Sequence, residues 1–242
     1  MLKEIIRLYK SGNVSVCGMR GTGKDMLQAN VIARRKEPYI SNMNYSCNKS
    51  IYIPLKMDKL NVGNNYKNLI DENIVPYEYP YPEKVDIYLS DAGVYFPAQY
   101  NNQLDKMYSE FPVFQALSRH LGNCNFHTNA QNLDRVWLKI REQSDTYIRC
   151  IWCKVIFKNI VVQKVIIYDK YESCQNRVEP YIHIKAPILA KQEVRSDYRS
   201  KDEQLYREFK ERNGKIRARI LIYKNKSNYD TRLFKKILGG QK

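Results

Sequence analysis

The sequence predicts an α/β fold, a mostly parallel sheet flanked by helices, followed by a β-rich extension and a basic, partly helical end. Three observations carry the prediction. A short apolar strand enters the glycine-rich turn of "VCGMRGTGKDML" (residues 16–27), and a segment with helical periodicity leaves it. A second apolar strand, "VDIYLSD", ends on a carboxylate, Asp91. Between residues 13 and 145, strand-like and helix-like segments alternate at the pitch of a parallel sheet covered on both faces.

Taken in order, Leu2, Ile5, Ile6 and Tyr9 have helical spacing, and "SGN" stops that helix. Residues 14–17 form the strand before the glycine turn, and "KDMLQANVIARRKE" the helix after it. "PYISN" and "IYIPL" read as short strands. A helix near "NNYKNLIDE" and an extended loop through "VPYEYPYPEK" follow. The strand over residues 85–89 is succeeded by a helix in "FPVFQALSRHLG", a strand in "NCNFHTNAQ" and a helix in "LDRVWLKIREQ". From residue 146 the pattern becomes β-rich, with strands expected in "YIRCIWCKVIF", "VVQKVIIYD" and "YIHIKA". The predicted division is a domain over residues 1–190, with its β-rich extension from about 146, and a basic tail over 191–242.

Charge narrows the partners. The 242 residues hold 41 Lys and Arg against 25 Asp and Glu, a formal net charge of +16, which favours a polyanion through counterion release. Residues 191–242 alone carry sixteen basic against seven acidic side chains, +9. No uninterrupted apolar run of about 18 residues exists, so no transmembrane segment is predicted. The start, "MLKEIIRLYKSG", is too short and charged for a signal peptide, and the expected location is the cytosol of a host cell. Six cysteines fit that compartment as reduced, mostly buried thiols. Cys150 and Cys153 form a C-x-x-C, but an odd spacing in a regular strand sends them to opposite faces, and no second pair completes a zinc site.

The chemistry concentrates in the glycine turn. Gly18, Gly23 and Lys24 match the phosphate-binding pattern G-x-x-x-x-G-K-[ST], with Asp25 where the pattern has a hydroxyl. A glycine turn between strand and helix points successive N–H groups into one concavity, and the helix N-terminus adds positive charge. Gly18, Arg20, Gly21, Thr22, Gly23, Lys24 and Asp25 are therefore the candidate nucleotide-binding residues, with Lys24 reaching the β- and γ-phosphates. Asp91 is the partner on the second strand, where P-loop ATPases of the additional-strand class keep a magnesium-contacting aspartate. The plainer reading of Asp91 is a carboxylate capping the next turn. Magnesium ligands are predicted at Asp25 and Asp91, hard oxygen donors. Ala92 stands where that class usually has a water-polarising glutamate, leaving Glu110 or Asp86 as substitutes.

"DAGVYFP" with "FQALSRHLGNCNFHTNAQNLDRVWLKIREQSD" resembles the zonula occludens toxin-like ATPase domain, also found in filamentous phage assembly proteins, of the FtsK/HerA class of P-loop NTPases. The matching positions are Asp91, Tyr95, Phe96, Pro97, Arg119, His120, Gln131 and Arg141, and the resemblance covers about residues 13–145. It implies a P-loop NTPase with a RecA-like sheet, using ATP and Mg2+ and working as a homo-oligomeric ring. Its partners would be phage or mobile-element DNA and coat or membrane-embedded assembly proteins, at the inner face of the membrane or free in the cytoplasm. In that family role Lys24, Asp91, Arg119, Gln131 and Arg141 are catalytic: Gln131 senses the γ-phosphate, and Arg119 or Arg141 supplies charge to a neighbour's nucleotide. The resulting function is virion assembly, genome packaging or DNA translocation. The alternative is a non-hydrolysing, nucleotide-switched DNA-binding or scaffold protein, suggested by Asp25 together with Ala92. A small-molecule P-loop kinase would need a lid and acceptor residues that the sequence does not display.

Overall fold

The computed structural model of the chain describes residues 2–35, 37–45, 52–54, 85–102 and 124–227. The helices expected at 64–72 and 111–122, with Glu110, Arg119 and His120, lie outside the described residues, as do the proline- and tyrosine-rich loop and the basic run at 232–238.

Eight strands form one sheet: β1 (Val14–Cys17), β2 (Tyr39–Ser41), β3 (Tyr52–Pro54), β4 (Asp86–Leu89), β5 (Phe126–Ala130), β6 (Thr146–Ile156), β7 (Ile160–Tyr168) and β8 (Ile216–Lys224). Their order is β3-β2-β4-β5-β1-β6-β7-β8. The first six run parallel, and β7 and β8 add antiparallel. One strand, β5, thus intervenes between β1, which feeds the glycine turn, and β4, which leads into the turn at Asp91. That is the topology after which the additional-strand class is named.

Period-2 alternation sorts the strand residues onto two cores. Val14 and Val16 of β1 and Tyr88 of β4 join helices α1 (Leu2–Ser11) and α2 (Lys24–Arg35), which contribute Leu2, Ile5, Tyr9, Leu27, Val31 and Ile32. Ile87 and Leu89 of β4, with Phe126 and Tyr147, face the other side, where Phe96, Trp137, Ile140 and Cys174 lie. Short helices α3 (Ala92–Tyr95), α4 (Leu138–Glu142) and α5 (Tyr171–Gln175) cover that face, and α6 (Gln192–Asn213) leads to β8.

Four expectations change. The helix predicted through "LDRVWLKIREQ" is broken: a 3-10 turn, Leu133–Arg135, precedes α4, because Val136 bridges to Pro97 and the Trp137 N–H donates to the Phe96 carbonyl at 2.7 Å. "YIHIKA" is irregular instead of a strand. It is tied to α6 by Asp202, whose carboxylate accepts from the Tyr181 hydroxyl and the Ile184 N–H and pairs with His183 Nδ1. Cys150 and Cys153 share a face, since a bulge between Cys150 and Trp152 inserts one residue and resets the alternation. The basic run after Gly214, read from sequence with the partly helical end, pairs along β7 as the edge strand β8.

Asp86 sits at the start of β4, the opposite end of the strand from Asp91, so it is no substitute for the carboxylate missing at Ala92. It is buried and engaged by Arg35, by His127 Nε2 at 3.2 Å and by the Asn125 N–H at 3.1 Å. Burial pushes its carboxyl up, but the His127 hydrogen bond, the charges of His127 and Arg35 and the Asn125 N–H together hold it below the usual carboxylate range. A group held low in the folded state contributes stability present above its unfolded pKa and lost as pH falls through the folded value. Asp86→Asn should therefore destabilise the fold at pH 7, by up to about 3–5 kcal/mol, because it removes one of the two carboxylates, Asp86 and Glu37, that pair with the buried Arg35. Urea unfolding from pH 7 downward should show an acid loss in the wild type that is smaller in the variant.

Candidate functional site

The glycine turn is shaped by space before chemistry. Gly18 and Gly23 have φ of 152° and 84°, and each lies against β6. A Cβ on Gly18 would stand 2.5 Å from the Cys150 carbonyl oxygen, and one on Gly23 would stand 2.6 Å from Cys153 Cβ. The bulge that turns both cysteines to this face is thus what lets β6 form the floor of the loop. The Gly18 N–H donates to the Gln131 carbonyl at 3.3 Å, joining the loop to the end of β5. Thr22 closes the turn on itself, with N–H and hydroxyl both donating to the Met19 carbonyl, at 3.3 and 2.7 Å.

A second strand, unsuspected from sequence, clasps the loop. Gln163 of β7 is fully buried, and its Nε2 donates to the carbonyls of Thr22 and Gly23, both at 3.0 Å. Its Oε1 accepts from the Tyr223 hydroxyl of β8 at 2.9 Å. The available signal was a lone amide inside the apolar run "VVQKVII".

These contacts open the first turn of α2 toward the loop. Its first N–H groups have no intrahelical acceptor, since the ladder begins with Leu27 N–H donating to the Gly23 carbonyl at 2.9 Å. Lys24 is 6% exposed, and among the described residues no carboxylate lies within ion-pair distance of it. A buried ammonium without a carboxylate is suited to an anionic ligand.

Across the loop, Asp25 and Asp91 converge around Asn129. Asp25 Oδ1 accepts from Ser90 Oγ at 3.1 Å and from Asn129 Nδ2 at 2.9 Å. Asn129 Nδ2 also donates to Gln28, and its Oδ1 accepts from the Asp91 N–H at 2.9 Å. Asn129 is fully buried near the end of β5, and Gln131 follows that strand in an exposed bend. Asp91 adopts the left-handed conformation, φ 51° and ψ 45°, and its side chain makes no capping hydrogen bond to α3. The capping reading of Asp91 is therefore set aside. Asp91 is exposed at the surface, yet partial desolvation of its carboxyl raises it above the usual range, the Asp25 charge adds to this, and Lys24 opposes it. Ala92 is wholly buried in the apolar cluster with Phe96 and Trp137, pointing away from the loop. Two carboxylates whose charges are already in tension fit a divalent cation, a hard ion that takes oxygen ligands.

Beside the loop opens a cleft of about 490 Å3 whose lining includes Arg20, Gln131, Arg135, Arg149 and Arg177. Gln131 is exposed at its rim. Cys17 and Cys174 meet in the cleft wall with sulfurs 3.7 Å apart, and the described cysteines are free thiols. Arg141 is not in this lining. Its guanidinium stacks over Tyr171 at 4.8 Å, donates to the Leu133 carbonyl at 3.3 Å and lies 4.0 Å from Asp134. Among the described residues no helix is long and apolar enough to cross a membrane.

No protein-family model matches the sequence, and no curated protein matches it. Several solved structures do. The N-terminal domain of zonular occludens toxin from Neisseria meningitidis is 9% identical over 93% of this chain and 97% of that one, with a TM-score of 0.41. The DNA-packaging ATPase of Sulfolobus turreted icosahedral virus is 12% identical over 65% and 92%, with a TM-score of 0.43. The genome packaging NTPase of Sulfolobus turreted icosahedral virus 2, in complex with ATP-gammaS, is 11% identical over 70% and 95%, with a TM-score of 0.40.

Gln163→Leu removes both bonds to the loop, leaving the Thr22 carbonyl without its side-chain donor and the buried Tyr223 hydroxyl without its acceptor, while the Gly23 carbonyl keeps the Leu27 N–H, so it should cost roughly 1–3 kcal/mol in urea unfolding. Tyr223→Phe, which removes one hydroxyl from the same chain of bonds, should cost less, about 0.5–1.5 kcal/mol. Equal and negligible costs would show that the loop does not lean on β7.

Proposed function

We propose that the chain binds ATP with magnesium on the loop between β1 and α2 and hydrolyses it while helping to package or move phage or mobile-element DNA during virion assembly. The observation that carries this reading is the Ser90–Asp25 hydrogen bond beside Asp91. In the common arrangement a hydroxyl follows the loop lysine, an aspartate ends the partner strand, the two share the magnesium, and a carboxylate follows to orient water. Here the hydroxyl and the first carboxylate stand in exchanged places. Asp25 is on the loop, Ser90 ends the strand, the two are bonded, and the next residue is Asp91. Read this way, neither departure is a loss, and the buried Ala92 has no chemical duty.

Lys24 and the first N–H groups of α2 hold the phosphates, and Gly18, Gly21 and Gly23 let the backbone approach them. Asp25 holds the magnesium, with Ser90 and Asn129 fixing its carboxylate. The magnesium supplies charge neutralisation at the phosphate oxygens. Asp91, which follows the Ser90–Asp25 pair, orients the attacking water. Gln131 contacts the γ-phosphate, and Arg20 faces the nucleotide from the loop. Arg119 or Arg141 serves a neighbouring protomer in a ring. Arg141 would first have to leave Tyr171 and Asp134. The +16 charge supports the DNA partner.

The test is phosphate release and fluorescent-nucleotide binding, with and without DNA. Lys24→Ala should abolish binding. Asp91→Asn should keep binding and lower turnover about 10^2–10^4-fold, the worth of a general base. Asp25→Thr and Ser90→Asp should each impair turnover, while the double variant, which restores the common order, should recover much of it. Additive losses in the double variant would sink the exchange. No turnover in the folded wild type, with or without DNA, would favour the nucleotide-switched scaffold.

A further inference from the structure

The inner face of β6, β7 and β8 supports the loop through Cys153, Gln163 and Tyr223. The outer face is unaccounted for, and its composition is regular. Residues paired across antiparallel strands share a face, so the ladder registers define three rows. Trp152 pairs with Lys164, which pairs with Ile220; Lys154 with Val162 and Ile222; Ile156 with Ile160 and Lys224. Each row holds two apolar residues and one lysine, the lysine falls on a different strand each time, and no row contains an acid. Five of the six apolar members are open to solvent, Ile222 56% exposed and Ile156 54% among them, and Val162 is half-buried. At the hairpin tip Phe157 is 75% exposed; Val155, also exposed there, belongs to the inner row with Val161 and Tyr223.

We propose that this face and tip dock on an anionic lipid surface. An apolar tip backed by interspersed lysines matches the acyl boundary and the phosphate layer of such a membrane in turn. A second copy packed face to face would bury three lysines on each side with no acid in the rows to pair them. Single-stranded nucleic acid would have Trp152 alone to stack on within the rows, since isoleucines offer no π face. Acidic lipid satisfies both halves of the composition.

Two tryptophans are present, and Trp137 is fully buried, so fluorescence changes on docking report Trp152. The full chain is titrated with vesicles of phosphatidylcholine and of phosphatidylcholine with phosphatidylglycerol. A blue shift is expected with the anionic vesicles alone, quenched by brominated lipid and absent in Trp152→Phe. The Ile156→Ser/Phe157→Ser pair, both exposed and so tolerated by the fold, should weaken binding ~10-fold or more. Lys154→Gln/Lys164→Gln/Lys224→Gln should reduce binding and its salt sensitivity. Three results overturn the proposal: no shift with anionic vesicles, vesicle binding without a change at Trp152, or a shift produced by single-stranded DNA in place of lipid.

Discussion

The architecture depends on the absence of side chains at Gly18 and Gly23. The loop lies so close to β6 that a Cβ at either position would overlap Cys150 or Cys153, and both glycines hold φ values that other residues rarely adopt. That approach requires β6 to bulge before Trp152, so that two cysteines turn to the same side. It also brings β7 within reach, so that Gln163 donates to the carbonyls of Thr22 and Gly23. Loop, bulge and amide form one device, assembled from segments about 140 residues apart in sequence.

Charge is arranged at the two ends of β4 to opposite effect. At its start Asp86 is enclosed by Arg35 and His127, fully compensated and remote from solvent. At its end Asp91 faces Asp25 with Lys24 nearby, an arrangement with more negative than positive charge at close quarters. The first holds α2, β4 and β5 together. The second is under-compensated, as expected of a position where a ligand supplies the missing charge.

The sequence made the local parts legible. β1, the glycine turn, α2 and the β4 strand ending at Asp91 are contiguous motifs whose signals need no partner. Asn129 was two residues from the predicted Gln131, and Ser90 adjoined Asp91, yet neither declares its role without the fold. Gln163 and Tyr223 act only through tertiary pairing. Parity arguments failed at Cys150 and Cys153 because one inserted residue inverts them, and helical periodicity failed at Val136 because a bridge to Pro97 captured the backbone. The alternation in "YIHIKA" was real, but an aspartate on α6 took the place of a neighbouring strand. The basic strand β8 was obscured by its own charge: Arg217 and Arg219 are turned to Glu4 of α1.

The Tyr223–Gln163 bond gives the chain a temporal order. Synthesis delivers the glycine turn first and the strand that steadies its clasp about 200 residues later, and contacts so distant form late. A chain still emerging from the ribosome therefore carries the complete glycine motif without its buttress. The clasp on the loop is complete only once β8 has paired along β7.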